Sequence, residues 1–226
     1  MSTTGLDSAR LITTTAAGVH AVPLAEFALA GALHFAKGFP ELRKWQQRHH
    51  WQRYTSTLLA NRTVTIVGMG SIGREVARVF RAMRANTIEI TRGSTIAEAL
   101  PVTDILILCC PLTAETENLI GAAQLAELPA RAILINLARG KVVDEQALMT
   151  ALANRKLAGA CLDVFHTEPL PRDSPLWDMD NVIVSPHSAS TVATENAAIT
   201  ELFVDNLSRY RAGTPLRNQY DPQRGY

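Results

Sequence analysis

An excess of charge of either sign is missing from this chain of 226 residues, which carries 22 Lys and Arg against 21 Asp and Glu. A balanced charge gives no general attraction to nucleic acid or to an anionic lipid surface, so we expect neither partner. Long hydrophobic runs are also missing. The longest run, residues 24–36, is too short to cross a bilayer and is interrupted by Glu26 and His34.

Cysteine is scarce: the chain has three, of which Cys109 and Cys110 are adjacent while Cys161 stands apart. This arrangement excludes a disulfide framework. The first twenty residues also lack the basic start and the apolar run of a signal peptide. We therefore expect a cytoplasmic protein whose cysteines pack as small apolar side chains. His49 and His50 are adjacent, but no further ligand follows at a suitable spacing, so no metal site is predicted.

Short apolar runs that alternate with helical stretches occupy the middle of the chain. Strands that read as unbroken apolar runs are typical of parallel sheets that are covered on both faces. The predicted fold class is therefore α/β, a Rossmann-type doubly wound parallel sheet with flanking connecting helices. Six strands are predicted, at residues 63–67, 88–90, 105–109, 132–136, 159–162 and 182–184.

Three helices are predicted from caps and from apolar periodicity. Asp144 suits the N-cap of a helix that runs to Asn154. Residues 23–45 read as one long helix with a proline in its first turn. Ser190 is expected to cap a last helix that ends near Arg211. The inward face of that helix is predicted to carry Val192, Ile199, Leu202, Phe203 and Leu207.

The motif Gly68-x-Gly70-x-x-Gly73 lies between a predicted strand and a predicted helix. Three glycines alone also fit an ordinary turn, but this context favours dinucleotide binding. Gly68 permits the tight turn, Gly70 lets the backbone approach a pyrophosphate, and Gly73 brings the helix close to the strand. The amides of Ser71 and Ile72 would then face the phosphates from a helix N-terminus.

The end of the second strand bears on the choice between NAD(H) and NADP(H). An NAD enzyme offers an acidic residue at this point, but Glu89 falls inside the strand. The strand ends instead in Thr91, Arg92 and Ser94. A guanidinium and two hydroxyls suit a 2′-phosphate, which favours NADP(H). The alternative is an ordinary solvent-exposed arginine at a strand end.

An arginine, a glutamate and a histidine each follow a predicted strand, where open α/β sheets place their ligands. Arg139 can grip a carboxylate with two parallel hydrogen bonds. His187 can exchange a proton with a carbonyl oxygen, and Glu168 can orient its ring. Taken singly, they fit a surface ion pair, a loop carboxylate and a turn histidine. Taken together, they predict a hydride-transfer site.

Ordered motifs along the chain carry a family resemblance. They lie at residues 67–74, 111–116, 135–140, 162–165, 168–170, 185–187 and 221–226. Together they resemble the D-isomer-specific 2-hydroxyacid dehydrogenases, the family of phosphoglycerate dehydrogenase and of glyoxylate/hydroxypyruvate reductase. The resemblance implies an NAD(P)-dependent enzyme acting on a small 2-keto or 2-hydroxy acid, with Arg139 binding the substrate carboxylate, Glu168 as acidic partner and His187 as acid/base. Further cofactor contacts that it implies are Pro111, Thr116, Leu137, Ala138, Asp163, His187 and Ala189.

The resemblance also implies a second domain of roughly a hundred residues ahead of the cofactor domain. Only its end is matched here. We therefore expect residues 1–20 to be its remnant, 21–189 to be the NAD(P)-binding domain, and 190–226 to be a connecting helix and tail. The apolar stripe of that helix is expected to meet another subunit or to stay exposed.

This deficit bears on activity, because hydride transfer requires that water is excluded from the site. We expect cofactor binding to be retained, and turnover to be weak unless a homodimer or another chain completes the site. The alternative function is a non-catalytic dinucleotide-binding or assembly module. The aromatic cluster of residues 45–51 is either a dimerisation arm, as the family implies, or a helix end packed on its own domain.

Overall fold

The computed structural model describes residues 12–220, so the motif at 221–226 and most of the expected N-terminal remnant lie outside the described residues. The chain forms two compact units. The larger unit is Ala21–Ser190, and the smaller one comes from the residues on either side of it. Within the described range, no helix combines the length and the apolar character that crossing a membrane requires.

The larger unit is built on six parallel strands. They are β1 (Thr63–Val67), β2 (Asn86–Ile90), β3 (Ile105–Leu108), β4 (Ile133–Asn136), β5 (Gly159–Leu162) and β6 (Val182–Val184). Their order across the sheet is β2-β1-β3-β4-β5-β6. The predicted parallel α/β sheet is confirmed, and all six strands lie where the apolar runs predicted them. The bounds of β2, β3 and β4 differ from the prediction by one or two residues.

Within the described residues, α-helices lie in both units. Those of the larger unit are α1 (Ala21–Ala36), α2 (Phe39–Gln47), α3 (Ser71–Ala82), α4 (Ala122–Glu127) and α5 (Glu145–Ala153). The smaller unit contributes α6 (Glu195–Arg211). Asp144 caps α5 as predicted, because its carboxylate accepts a 3.0 Å hydrogen bond from the amide of Ala147.

Two apolar clusters enclose the sheet, one on each face. Successive residues of β3 alternate between them: Ile105 and Ile107 join the cluster with α1 and α3, whereas Leu106 and Leu108 join the one with α4 and α5. All four residues are buried. Because both faces are covered at β3, each of its positions holds an apolar side chain, which explains the unbroken run there.

The single long helix predicted over residues 23–45 is wrong. Helix α1 ends at Ala36, and α2 begins at Phe39. Gly38 separates them in the left-handed region with φ 66°, and its amide donates to the carbonyl of Phe35. A glycine just past a helix end, followed by Pro40 in the first turn of the next, is a stop-and-start signal that the apolar periodicity hides.

Helix α6 also differs from its prediction. It begins at Glu195 with Thr194 as its N-cap, rather than at Ser190. The buried residue on α6 is Asn206, whose amide exchanges two hydrogen bonds with the backbone of Arg217. The predicted inward face is therefore not buried within this chain, which is one of the two outcomes expected for the stripe. Four of its residues are exposed (Val192, Ile199, Phe203 and Leu207).

Candidate active site

The glycine motif forms the turn between β1 and α3. Gly68 has φ +96°, and a Cβ there would lie 2.6 Å from the backbone of Cys110. A Cβ on Gly73 would lie 2.0 Å from the carbonyl oxygen of Gly68. A Cβ on Gly70, in contrast, would meet nothing within 4 Å. Packing within the chain explains why the first and third positions are glycine. At the second position no neighbour requires glycine, and the open space there is available for a ligand to approach.

This open space faces the N-terminus of α3. Gly70 is the N-cap and offers no side-chain hydrogen bond, so the amides of Ser71 and Ile72 start the helix without a capping acceptor. The positive end of the helix dipole adds to their attraction for an anion. The turn also lies where β1 meets β3, the point at which the strand order reverses and at which open α/β sheets bind ligands. These residues fit the pyrophosphate of a dinucleotide.

The end of β2 carries the predicted 2′-phosphate residues. The hydroxyls of Thr91 and Ser94 lie 3.1 Å apart, and Arg92 extends into solvent. Glu89 is held by Arg81. The guanidinium of Arg92 contacts Glu115, a residue that the sequence analysis missed because it comes from the loop after β3.

The three predicted catalytic residues line one cleft of about 230 Å³, to which Arg139, Glu168 and His187 all contribute. The Nδ1 of His187 lies 2.7 Å from Oε2 of Glu168. The other carboxylate oxygen accepts a 2.9 Å hydrogen bond from the amide of Phe165. Residues that are 19 or more positions apart in the chain thus meet at the carboxyl edge of the sheet.

The charge of Glu168 follows from these contacts. Partial burial acts to raise the pKa of its carboxyl group, but the hydrogen bonds from His187 and from the Phe165 amide oppose this. The positive charge of Arg139 acts in the same direction, and the net result is a lowered pKa. Glu168 is therefore an anionic acceptor for the imidazole at neutral pH.

The loop after β4 positions Arg139. The side chain of Asn136 fixes this loop, since its amide donates to the carbonyl of Arg139 and its oxygen accepts from the amide of Ala138. A Cβ on Gly140 would lie 2.0 Å from the carbonyl carbon of Phe165, so only glycine lets the two loops approach. Within the described residues, the guanidinium makes one hydrogen bond, to the carbonyl of Ala138. Its other N–H groups are left for a ligand.

The loop that carries His187 is held by Asp163. One carboxylate oxygen of this buried residue accepts hydrogen bonds from the hydroxyl of Ser185 and from the amides of Ser188 and Ala189. These hydrogen bonds come from residues before and after His187 in the sequence. The φ of His187 is 54°, which lies in the left-handed region. The resemblance implied a cofactor contact for Asp163, whereas the contacts that the structure gives it are those that anchor this loop.

The remaining predicted cofactor residues border the same sheet edge. The hydroxyl of Thr116 donates a 2.6 Å hydrogen bond to the carbonyl of Pro111 and so closes the loop after β3. Leu137 and Ala138 lie in the loop that carries Arg139, and both are buried.

Other residues that the sequence analysis did not name also line the cleft: Leu112, Lys141 and His166. The ring of His166 is engaged by the carbonyl of Val143 at 2.7 Å, and its amide by Glu145 at 2.9 Å. The position of His166 beside the motif of residues 162–165 is a signal that would have found it.

The cysteine thiols are not activated as nucleophiles. Burial raises the pKa of Cys109 to about 12, with a further contribution from Cys110, and burial raises the pKa of Cys161 to about 12 as well. Both thiols are therefore protonated at neutral pH. Among residues 12–220, no group of three or more His, Cys, Asp or Glu is arranged to hold a metal ion.

Residues 29–189 match the family profile described as D-isomer specific 2-hydroxyacid dehydrogenase, NAD binding domain. The chain belongs to this family. The match covers most of the chain and contains the glycine turn together with Arg139, Glu168 and His187. The family resemblance drawn from the ordered motifs is therefore confirmed, and the larger unit contains the dehydrogenase NAD-binding domain.

Curated dehydrogenases of the family align over most of this chain. Glyoxylate/hydroxypyruvate reductase A of Klebsiella pneumoniae (strain 342) is 36% identical over 214 residues, which are 89% of this chain and 68% of that protein. Glyoxylate reductase of Korarchaeum cryptofilum is 34% identical over 219 residues, which are 88% of this chain and 66% of that protein.

Solved dehydrogenase structures share the fold. A D-isomer specific 2-hydroxyacid dehydrogenase from Xanthobacter autotrophicus Py2, in complex with NADPH and MES, has a TM-score of 0.87 and 34% identity. That match covers 98% of this chain and 97% of the other. The NADPH-dependent glyoxylate/hydroxypyruvate reductase of Sinorhizobium meliloti has a TM-score of 0.85 and 29% identity, over 92% of this chain and 71% of that one.

Proposed function

We propose that this chain is an NAD(P)-dependent oxidoreductase that interconverts a small 2-keto acid and the corresponding D-2-hydroxy acid. The observation that carries the proposal is the 2.7 Å contact between His187 and Glu168 in a cleft that Arg139 also lines. An acid/base, its carboxylate partner and a carboxylate-binding cation are the three groups that this reaction needs from the protein.

Each of the three residues has a separate task. Arg139 binds the substrate carboxylate through two parallel N–H groups and so fixes the position of the neighbouring carbonyl. Glu168 engages Nδ1 of His187, which leaves Nε2 to donate a proton to the carbonyl oxygen during reduction and to take it back during oxidation. When bound, the nicotinamide ring supplies or accepts the hydride.

The cofactor of the proposal is NADP(H) in preference to NAD(H). The amides of Ser71 and Ile72 would hold the pyrophosphate, and Thr91, Arg92 and Ser94 would hold the 2′-phosphate. Named ligands of solved relatives support both cofactors: the X. autotrophicus protein contains NADPH and the S. meliloti protein NADP, whereas a Lactobacillus delbrueckii relative contains NAD.

The proposal extends to the organisation of the chain. Residues 21–189 act as the cofactor domain, while 1–20 and 190–226 belong to a substrate domain that a homodimer or another chain completes. Exposed apolar side chains on α6, among them Phe203 and Tyr210 at 64% each, support association. Free, unactivated thiols suit a cytoplasmic location.

A second candidate function is a dinucleotide-binding or assembly module without catalysis. The observation in its favour is the exposure of the acid/base, because the His187 side chain is 47% exposed and water reaches it. In this case the chain binds cofactor and does not turn over substrate.

A paired assay separates the two functions. Changes in nicotinamide fluorescence report binding of NADPH and NADH, and cofactor oxidation with glyoxylate, hydroxypyruvate and pyruvate reports turnover. Turnover that is lost in His187→Gln supports the dehydrogenase. Cofactor binding without turnover at any protein concentration supports the module, and absence of cofactor binding contradicts both.

A further inference from the structure

An ion pair lies at the rim of the proposed cofactor site. Nη2 of Arg92 is 3.3 Å from Oε1 and 3.5 Å from Oε2 of Glu115. The two residues are 23 positions apart and follow different strands, β2 and β3. Both side chains are 69% exposed, so the pair is open to solvent and is able to rearrange when a ligand arrives.

Glu115 is held at a second point. The hydroxyl of Thr113 donates a 3.0 Å hydrogen bond to its Oε2, and the same hydroxyl accepts from the amide of Glu115 at 3.3 Å. These contacts form a small turn in the loop after β3. The carboxylate is therefore directed toward Arg92 by its own loop as well as by charge.

We propose that Glu115 is a specificity-determining residue for the cofactor, because its carboxylate competes with the 2′-phosphate of NADP(H) for Arg92. This inference rests on the proposed function. A phosphate monoester carries a charge of about −1.5 to −2 at pH 7. Two anions on one guanidinium repel each other, so binding of the phosphate requires Glu115 to leave Arg92. NAD(H) has no 2′-phosphate and does not impose that cost.

Glu115 also supplies the acidic group that β2 lacks. In NAD-binding domains of this type an acidic residue after β2 accepts hydrogen bonds from the ribose hydroxyls. Here that end of β2 carries Arg92, and the nearby Glu89 is engaged by Arg81. The loop after β3 brings Glu115 to the same place from another part of the chain. The guanidinium suits the 2′-phosphate of NADP(H), and the carboxylate suits the ribose hydroxyls of NAD(H). With both groups side by side, we expect a modest preference between the two cofactors rather than a strict one.

The test compares Glu115→Gln with Glu117→Gln. Glu117 lies on the same loop, is exposed, and makes no side-chain hydrogen bond or ion pair within the described part of the chain, so its substitution removes the same charge without touching Arg92. Dissociation constants for NADPH and NADH are measured by nicotinamide fluorescence. Since an exposed ion pair contributes little, we expect Glu115→Gln to tighten NADPH binding about twofold to fivefold, and to leave NADH binding unchanged or weaker.

A double substitution distinguishes direct competition from a general field effect. In an Arg92→Gln chain, adding Glu115→Gln should no longer tighten NADPH binding, because the group for which the two anions compete is gone. An equal gain in both backgrounds, or an equal gain from Glu117→Gln, would overturn the inference. So would an unchanged ratio of NADPH to NADH affinity in Glu115→Gln. If the unsubstituted chain binds neither cofactor, the proposed function fails, and the inference fails with it.

Discussion

The hydrogen bond between Glu168 and His187 decides which ring nitrogen is available for chemistry. With Nδ1 at 2.7 Å from the carboxylate, the ring is fixed in rotation and Nε2 is the nitrogen left for substrate. Glu168 is fixed in turn by the Phe165 amide, so the proposed acid/base is supported through two steps of hydrogen bonding. Under the proposed function, we expect a substitution at any of these points to affect proton transfer more than cofactor binding.

We expect His187→Gln to lower kcat/KM by a factor on the order of 10² to 10⁴, because general acid catalysis contributes about that much. The NADPH dissociation constant should change far less. The measurement is the initial rate of NADPH oxidation over a series of glyoxylate concentrations. His166→Gln is the matched control, since it lies in the same cleft but is engaged by the carbonyl of Val143. Equal losses in the two variants would contradict the assignment.

Asp104 links stability to pH at the other end of the sheet. Burial acts to raise the pKa of its carboxyl group, but hydrogen bonds from the Thr63 amide, Arg131 and Arg62 prevail and lower it. A lowered folded-state pKa means that the contribution to stability is complete above the ordinary value of 3.8 and is lost as pH falls through the folded-state value.

We therefore expect Asp104→Asn to reduce the free energy of unfolding by about 1–3 kcal/mol at pH 7, and by less below pH 3.8. Urea unfolding at pH 7 and pH 3 measures the difference. Asp173→Asn serves as the control, because Asp173 is exposed and makes no side-chain hydrogen bond within residues 12–220. A deficit that stays the same at both pH values would show that the carboxylate is not the cause.

The sequence predicted the meeting of Arg139, Glu168 and His187 but not that of Arg92 and Glu115. The first set follows from topology, since the carboxyl ends of parallel strands share one edge of the sheet. The second depends on the conformation of the loop after β3, where Thr113 turns Glu115 toward β2. No periodicity or spacing in the sequence encodes such a side-chain contact.

At the scale of elements, the turn between β1 and α3 uses one glycine for stability and another for the proposed cofactor contact. Gly68→Ala places a methyl group 2.6 Å from the backbone of Cys110 at a φ of +96°. We expect a loss of more than about 1 kcal/mol in the free energy of unfolding, since alanine is strained at positive φ. Thermal unfolding measures it.

We expect Gly70→Ala to weaken cofactor binding without lowering stability. Its φ of −72° suits alanine and the added methyl group meets nothing within 4 Å, so the melting temperature should be unchanged. The same methyl group occupies the space in which the proposed site places the pyrophosphate. We expect dissociation constants for NADPH and NADH to rise roughly tenfold to a hundredfold, because an overpacked methyl group costs about 1–3 kcal/mol. Unchanged cofactor affinity in a folded Gly70→Ala chain would contradict the position of the cofactor.

Sequence patterns predict that a helix is present better than they predict where it ends or which of its faces is buried. Apolar periodicity correctly identified α1 but continued through Gly38, because periodicity measures which residues face a core and not where the backbone turns. On α6 the predicted stripe marks exposed residues, and Asn206 is the buried one. An apolar stripe is buried only when a partner element packs against it. A polar side chain such as that of Asn206 tolerates burial because its own atoms are paired in hydrogen bonds with the backbone.

At the scale of the whole molecule, cofactor binding and turnover make different demands. The proposed cofactor site consists of the glycine turn and the N-terminus of α3, both of which are complete within the larger unit. Hydride transfer also requires a dry site, yet the side chains of His187 and Glu168 are 47% and 35% exposed. The exposed apolar residues of α6 are the surface through which we propose that chains associate.

We therefore expect NADPH binding to be independent of protein concentration, while the specific activity with glyoxylate is weak at low concentration and rises as chains associate. Turnover across a dilution series, with native mass measured at each concentration, tests this. His187→Gln gives the background rate at every point. Turnover that is strong and constant per chain, at concentrations where the mass is that of a monomer, would show that residues of one chain exclude water on their own. In that case the exposed apolar residues of α6 would have no part in completing the site.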